Sequence, residues 1–312
     1  MAARVVVVGS LNLDLVVQVS RRPAKGETLR GTGFGMFVGG KGNNQAIAAA
    51  RAGAQVSMVG KVGQDLFGDK LLATLAENEV EATYVFRDPV AGTGIASITV
   101  DAEGDNSIVL APQANDKLRV EDIAQAAPVI EAAQVLLMQL EVPLECVLAA
   151  ARLARRAGVK VILNPAPAPE SGTLPPDLLS LVDIFIPNQS EASLLTGLDI
   201  TNQTEAIAAG QLLLELGPQN IIVTLGEMGA LLLEPEKPPQ LVPSYPILAL
   251  DTTAAGDAFC GALAAWLARG LTLVDAMRYA CAAGALAATR LGAEPSLPFE
   301  AAIQELVNAK NP

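Results

Sequence analysis

Short runs of β-branched residues alternate along this chain with Ala- and Leu-rich stretches of helical period. Uninterrupted apolar runs mark strands buried on both faces, as parallel strands are, and the helical stretches between them supply crossovers. The pattern predicts strands at 5–8, 56–59, 135–138, 159–163, 184–186 and 221–225, with helices at 43–52, 69–78, 144–157, 189–195, 204–216, 256–268 and 272–288. This βαβ alternation predicts a doubly wound α/β fold, a mostly parallel central sheet flanked by helices.

Two segments break the alternation. Residues 13–19 alternate with period two and lead into a Gly-rich meander over 21–35, while 93–100 and 106–110 flank an Asp101-Ala102-Glu103-Gly104 turn like a hairpin. They predict a small antiparallel β lid, inserted in two pieces at about 11–36 and 92–111 within a single domain spanning 1–312. No linker, low-complexity tract or repeat divides the chain.

Charge and composition narrow the chemistry. A net charge of −12 would repel a polyphosphate backbone and argues against nucleic-acid binding, and no apolar run approaches the roughly 18 residues of a membrane span. Cys146, Cys260 and Cys281 lie far apart without metal-ligand spacing, which fits a reducing cytoplasm. The chain has no histidine, which removes Ser-His-Asp and Cys-His catalysis and the usual near-neutral base. If the chain is an enzyme, a carboxylate is its expected base.

Three places could carry that chemistry. Gly39-Gly40-Lys41-Gly42-Asn43-Asn44-Gln45-Ala46 opens a helix but fails as a P-loop, because Gly42 stands where a Ser or Thr must reach the metal and no apolar strand precedes the run. It reads either as a close-approach ligand loop with a cation and two amides, or as a turn capped by Asn43. Asp251-Thr252-Thr253-Ala254-Ala255-Gly256-Asp257 runs small residues into a helix whose first N–H groups make an anion site. There Asp257 either offsets the helix dipole or takes a proton. Asn188 and Glu191, three apart after a strand, fit a hydrated magnesium or a capping box. Thr224-Leu225-Gly226-Glu227-Met228-Gly229 is open between a tight turn and a nucleotide loop.

The order of these elements is more specific than any one of them. Gly39-Gly40-x-Gly42-x-Asn44-x-Ala46, then Gly53 and Gly63, and late in the chain Asp251-Thr252-x-Ala254-Ala255-Gly256-Asp257, resembles both signatures of the ribokinase-like (PfkB) carbohydrate kinases. Gly9-Ser10-Leu11-Asn12-Leu13-Asp14, Asn164-Pro165-Ala166-Pro167 and Gly292-Ala293-Glu294-Pro295-Ser296 strengthen the likeness, which runs from Val5 to about Pro298.

The resemblance implies an ATP-dependent kinase acting on the 5-hydroxyl of D-ribose or a related small sugar. It implies that Asn12, Asp14, Gly40, Lys41, Gly42, Asn43, Asn44 and Glu141 hold the sugar, that Asp257 is the base, and that the Ala254, Ala255 and Gly256 backbone is the anion hole. Asn188, Thr224, Leu225, Gly226, Glu227, Met228, Gly229, Gly256 and Cys281 would border the nucleotide, with Glu191 organising Mg2+. Asp251, Thr253, Ala287, Arg290, Gly292 and Ser296 would surround an activating K+, several through backbone carbonyls. Family lids commonly pair, which implies a homodimer. Two positions depart from the family: Cys281 stands where relatives often place His or Asn near the adenine, and Asn43 replaces a small residue. Other acceptors, such as 2-deoxyribose, fructose or a nucleoside, belong to the same class. A non-catalytic sugar-binding protein would require loss of the base or the anion hole, and both are present.

Overall fold

Alternate residues of the first strand enter different cores, and this divides the molecule into layers. In β1 (Arg4–Val8) the side chains of Val5 and Val7 face one apolar cluster and those of Val6 and Val8 another. The computed structural model describes residues 3–309. The remaining strands are β2 (Asn12–Gln18), β3 (Gly33–Gly39), β4 (Gln55–Gly63), β5 (Val80–Asp88), β6 (Gly94–Val100), β7 (Asn106–Ala111), β8 (Val135–Met138), β9 (Lys160–Leu163), β10 (Ile184–Phe185), β11 (Asn220–Thr224), β12 (Ala230–Leu233) and β13 (Gln240–Val242).

Nine strands form the central sheet in the order β13-β12-β11-β10-β9-β8-β1-β4-β5. All neighbours from β11 to β5 are parallel, and the β11-β12 and β12-β13 pairs are antiparallel. One face is covered by α1 (Lys41–Arg51) and α2 (Leu66–Glu77), the other by α3 (Val120–Gln125), α4 (Ala127–Glu131), α5 (Leu144–Arg156), α6 (Pro176–Leu179), α7 (Gln189–Thr196) and α8 (Gln203–Glu215). Next, α9 (Ala255–Ala268), α10 (Leu273–Ala287) and α11 (Glu300–Ala309) return to the first face. No helix of the described residues is long and apolar enough to cross a membrane.

The second sheet has the order β3-β2-β6-β7. Its hairpin ladders β2-β3 and β6-β7 are antiparallel, whereas the central β2-β6 pair is parallel, with Asn12 opposite Gly94. The two stretches that build it meet side by side without a connecting turn.

Several local expectations change. Residues 33–39, read as the end of a meander and the start of a loop, form β3; Phe34, Met36 and Phe37 are exposed there, so the run lacks the burial pattern of a core strand. A strand therefore does precede the Gly-rich run, although it belongs to the small sheet. Helix α1 starts two residues earlier than its pattern suggested, with Gly40 at φ 89° as its N-cap, so Asn43 does not cap it. Strands β5, β12 and β13 extend the sheet at its two edges, beyond the six core runs.

Candidate active site

Parallel strands deliver their following loops to one edge of the sheet, where open α/β folds bind ligands. A cleft at that edge is lined by Lys41 of α1, Asn164 after β9, Asn188 and Glu191 at the start of α7, Thr224 at the end of β11, and Thr252, Ala254, Gly256, Asp257 and Cys260 around the start of α9.

Asp257 sits in the first turn of α9, and its carboxylate bonds to α1 instead of to its own helix. Asn44 donates to Oδ2 at 3.0 Å and Gln45 donates to Oδ1 at 2.9 Å. The carboxylate therefore does not cap α9 by a hydrogen bond, although its charge still lies at the positive end of the helix dipole. Burial pushes the Asp257 carboxyl up, while Lys41, Gln45 and Asn44 pull it back towards the charged form. Burial also works against the Lys41 ammonium, but the carboxylates of Asp257, Glu141 and Glu191 outweigh it and raise its pKa. The Lys41 cation thus shares the cleft with the buried Asp257 carboxyl.

The approach of α1 to α9 depends on Gly261, one turn beyond Asp257. A Cβ there would lie 2.6 Å from the Gln45 carbonyl and 2.6 Å from the Ala48 Cβ. Its hydrogen side chain lets the two helices close until Asn44 and Gln45 reach the carboxylate.

The start of α9 has less free backbone than its sequence suggested. Ala254 is left-handed at φ 59°, with no side-chain cap, and the Ala255 N–H is already donated to the Thr252 carbonyl at 3.1 Å. The first-turn N–H groups of Gly256 and Asp257 remain as anion donors. Nothing lies within 4 Å of where a Gly256 Cβ would be, so this face of the helix start is open.

Asn188 and Glu191 form the reciprocal capping box: Glu191 N–H donates to Asn188 Oδ1 at 2.8 Å, and Asn188 N–H donates to Glu191 Oε2 at 2.9 Å. Both also line the cleft, so capping does not remove Glu191 from it. Burial pushes its carboxyl up.

Among the sugar-motif residues, Ser10 donates to Glu141 Oε2 at 2.5 Å, and the Lys41 N–H reaches the same oxygen at 3.3 Å. Asp14 is raised to about 7 by burial first, then by Glu141 and Asp257, which places the three carboxylates in one electrostatic neighbourhood. Asn12 is buried beside them in β2. Asn43 is fully buried, its amide without a hydrogen-bond partner, and it does not line the cleft.

The loop after β11 contributes only Thr224 to the cleft. Leu225 is buried in the core, Gly226, Glu227 and Met228 are exposed, and a Cβ at Gly229 would lie 2.1 Å from the Val242 carbonyl. Cys281 is buried on α10, its thiol 3.8 Å from the Val242 carbonyl, and does not line the cleft. Asp251 Oδ1 accepts from the Thr253 N–H and hydroxyl, and Oδ2 accepts from the Gly292 N–H at 2.8 Å, which joins the two loops that carry Thr253 and Gly292. Ser296 is buried in the next turn, donating to the Ala293 carbonyl, while Ala287 ends α10 with its carbonyl accepting from the exposed Arg290.

Sequence reasoning assigned no role to Gln45, Gln139 or Asn164, which join Asp257 in one hydrogen-bonded group. Gln45 and Asn164 stand inside the family-like runs, and that was their only signal.

A buried carboxylate at an open helix start, with a lysine and a second carboxylate in the same cleft, suits group transfer involving an anion. A sequence profile of the pfkB family carbohydrate kinases matches residues 2–300. The chain is 42% identical over 302 residues to a ribokinase of Mus musculus, covering 96% of this chain and 93% of that one. It is 37% identical over 294 residues to a deoxyribokinase of Salmonella typhi, covering 94% and 95%. An Arabidopsis thaliana ribokinase structure complexed with ribose and ATP superposes with a TM-score of 0.91 at 31% identity, covering 98% of this chain and 99% of that one. The chain belongs to the pfkB family of carbohydrate kinases.

Proposed function

We propose that this protein transfers the γ-phosphate of ATP to the 5-hydroxyl of D-ribose, giving D-ribose 5-phosphate and ADP. The observation that carries the reading is the buried Asp257 carboxylate, held by Asn44 and Gln45 at the open start of α9. Asn12, Asp14, Glu141 and the Gly40 to Asn44 turn hold the sugar, and Thr224 and Asn188 border the nucleotide. The alcohol oxygen attacks the γ-phosphorus, its proton passes to Asp257, and the bond to the bridging oxygen breaks with its electrons left on ADP. Negative charge on the transferring group meets the N–H groups of Gly256 and Asp257 and the Lys41 ammonium. No ionised alcohol is needed beforehand, so a carboxylate suffices.

Among the described residues no cluster of three acidic or sulfur ligands could hold a metal directly. Glu191, with one oxygen committed to the Asn188 N–H, suits Mg2+ that keeps most of its water shell. Bound with ATP, the ion would supply charge neutralisation on the phosphates. The Asp251 carboxylate, the Thr253 and Ser296 hydroxyls and the backbone carbonyls of Ala287, Arg290 and Gly292 are oxygen ligands, as a hard monovalent cation such as K+ requires; the Arg290 guanidinium takes no part.

The small sheet acts as the lid, with Asp14 on its inner face. Strand register puts Val17, Phe34, Met36 and Val109 on the opposite face, and all four are exposed. Such an apolar face supports pairing of two lids in a homodimer. Cys146 and Cys260, buried and in no disulfide, suit a reducing cytoplasm.

A coupled ADP-release assay over pentoses, hexoses and nucleosides, with and without potassium, tests the reading. Ribose is expected to give the highest kcat/KM. The similarity to a deoxyribokinase favours 2-deoxyribose as the second reading, which a higher kcat/KM on that sugar would select. Faster turnover of fructose or adenosine would overturn both.

A further inference from the structure

The Ile186 carbonyl, at the end of β10, can only accept hydrogen bonds. Asn164 donates its nitrogen to it at 2.8 Å, which turns the Asn164 oxygen towards α1. Gln45 Nε2 donates to that oxygen at 3.1 Å and to Asp257 Oδ1 at 2.9 Å, so both of its N–H bonds are committed. Its Oε1 accepts from Gln139 Nε2 at 2.6 Å. Flipping any one of these three amides would set oxygen against oxygen in a buried site. The carbonyl at one end and the carboxylate at the other, both acceptors, give the chain a single sense.

We propose that Gln45 is a positioning residue for the Asp257 carboxylate, its direction imposed by this one-way amide relay through Asn164 and Gln139. The inference rests on the reading of Asp257 as the base. Gln45 and Gln139 are fully buried, with no surface open to a ligand, so they act through Asp257. Asn44 holds Oδ2 while Gln45 holds Oδ1, and two donors on two oxygens stop the carboxylate from rotating. What remains is one fixed set of lone pairs aimed at the cleft, the requirement for accepting a proton in a defined geometry.

The same donor favours the charged form of Asp257 against the upward push of burial. The groups around it are Lys41 on α1, which favours the charged form, Glu141, Glu191 on α7 and Asp14 on β2, which oppose it, and the Cys260 thiol on α9, which burial pushes well up. Losing the Gln45 bond shifts that balance towards the protonated, inactive carboxyl.

The test is a double-mutant cycle of Gln45→Met and Gln139→Met, with ribose and ATP as substrates and circular dichroism to confirm folding. Gln45→Met is expected to lower kcat by about 10–100-fold, the usual cost of removing a supporting partner, with a smaller change in sugar KM. The acid limb of its pH profile moves to higher pH. Gln139→Met leaves the Gln45 donor in place but strips its Oε1 of a buried partner, which loosens the amide, so its loss is smaller and its acid limb moves the same way. The double variant is expected to be no slower than Gln45→Met, because both act through one route. If Gln45→Met fails to fold, Gln139→Met decides by the same pH profile. Folded variants with a wild-type acid limb, or losses that multiply in the double variant, overturn the relay. Asp257→Asn separates the two claims: retained turnover in that variant would refute the base assignment itself, whatever the Gln45 variants do.

Discussion

The Asn115 amide donates to the Asn12 side-chain oxygen at 2.7 Å, which leaves the Asn12 nitrogen as the end available to a ligand. Asn115 also accepts from the Leu11 N–H at 2.9 Å and donates to the Leu11 carbonyl at 3.2 Å. It stands just after β7, so one buried side chain ties the entry of the small sheet to its exit. Asn115→Leu should leave the Leu11 groups unsatisfied and cost about 1–3 kcal/mol, read by denaturant unfolding. The sugar KM should rise more than the ATP KM. Equal changes in the two would mean that Asn115 does not orient Asn12.

The sequence made the two ends of this site legible and left its middle dark. The Gly39 to Ala46 and Asp251 to Asp257 runs are contiguous, and each combines backbone permissiveness with a polar group; each is ambiguous alone, and their order and family resemblance gave them roles. Gln139 and Asn115 are single polar residues at strand exits, and only the parallel packing of distant strands gives them partners. The core strands were readable from their apolar runs. Strand β3 was not, because half of it is solvent-exposed and three of its seven residues are glycine. The parallel β2-β6 pair has no local turn to announce it.

Asp14 couples stability to pH with a definite sign. Its carboxyl rises from 3.8 to about 7, so the folded state holds the proton more tightly than the unfolded one. Stability from this group is therefore present at low pH and declines as pH rises from about 4 to about 7, by roughly 4 kcal/mol at most. Asp14→Asn carries no charge to bury. Thermal unfolding should show the variant more stable than wild type at pH 8, with the gap closing at pH 5, while sugar binding weakens at both. A gap independent of pH would refute the buried charge as its cause.

Two glycines of α9 should respond in opposite ways. A Cβ on Gly261 meets the Gln45 carbonyl and the Ala48 Cβ at 2.6 Å, whereas one on Gly256 meets nothing within 4 Å. Gly261→Ala should cost about 1–3 kcal/mol from overpacking and lower kcat by pulling Asn44 and Gln45 off Asp257. Gly256→Ala should be neutral or stabilising by up to about 1 kcal/mol, as Ala in a helix is, yet should impair turnover because the methyl occupies the open helix start. Unfolding midpoints and kcat measured together distinguish the cases; a destabilised Gly256→Ala with normal turnover would contradict the open site.

Arg51 links α1 to the loop proposed for the monovalent cation. Its guanidinium donates to the carbonyls of Glu294 and Leu297 at 2.7 and 2.9 Å, pairs with the Glu294 carboxylate and reaches Asn78 Oδ1 at 2.7 Å. These bonds brace the turn that holds Ser296, about two helical turns away from the Asp257 contact that Asn44 makes near the other end of α1. Arg51→Met keeps much of the apolar stem but removes every donor. The half-activating potassium concentration should rise about 10-fold, the lower end of the range for lost supporting partners of a metal site. Turnover at saturating potassium should recover towards wild type, since the base and anion donors are untouched. A folded variant with unchanged potassium activation would show that the brace and the cation site are independent.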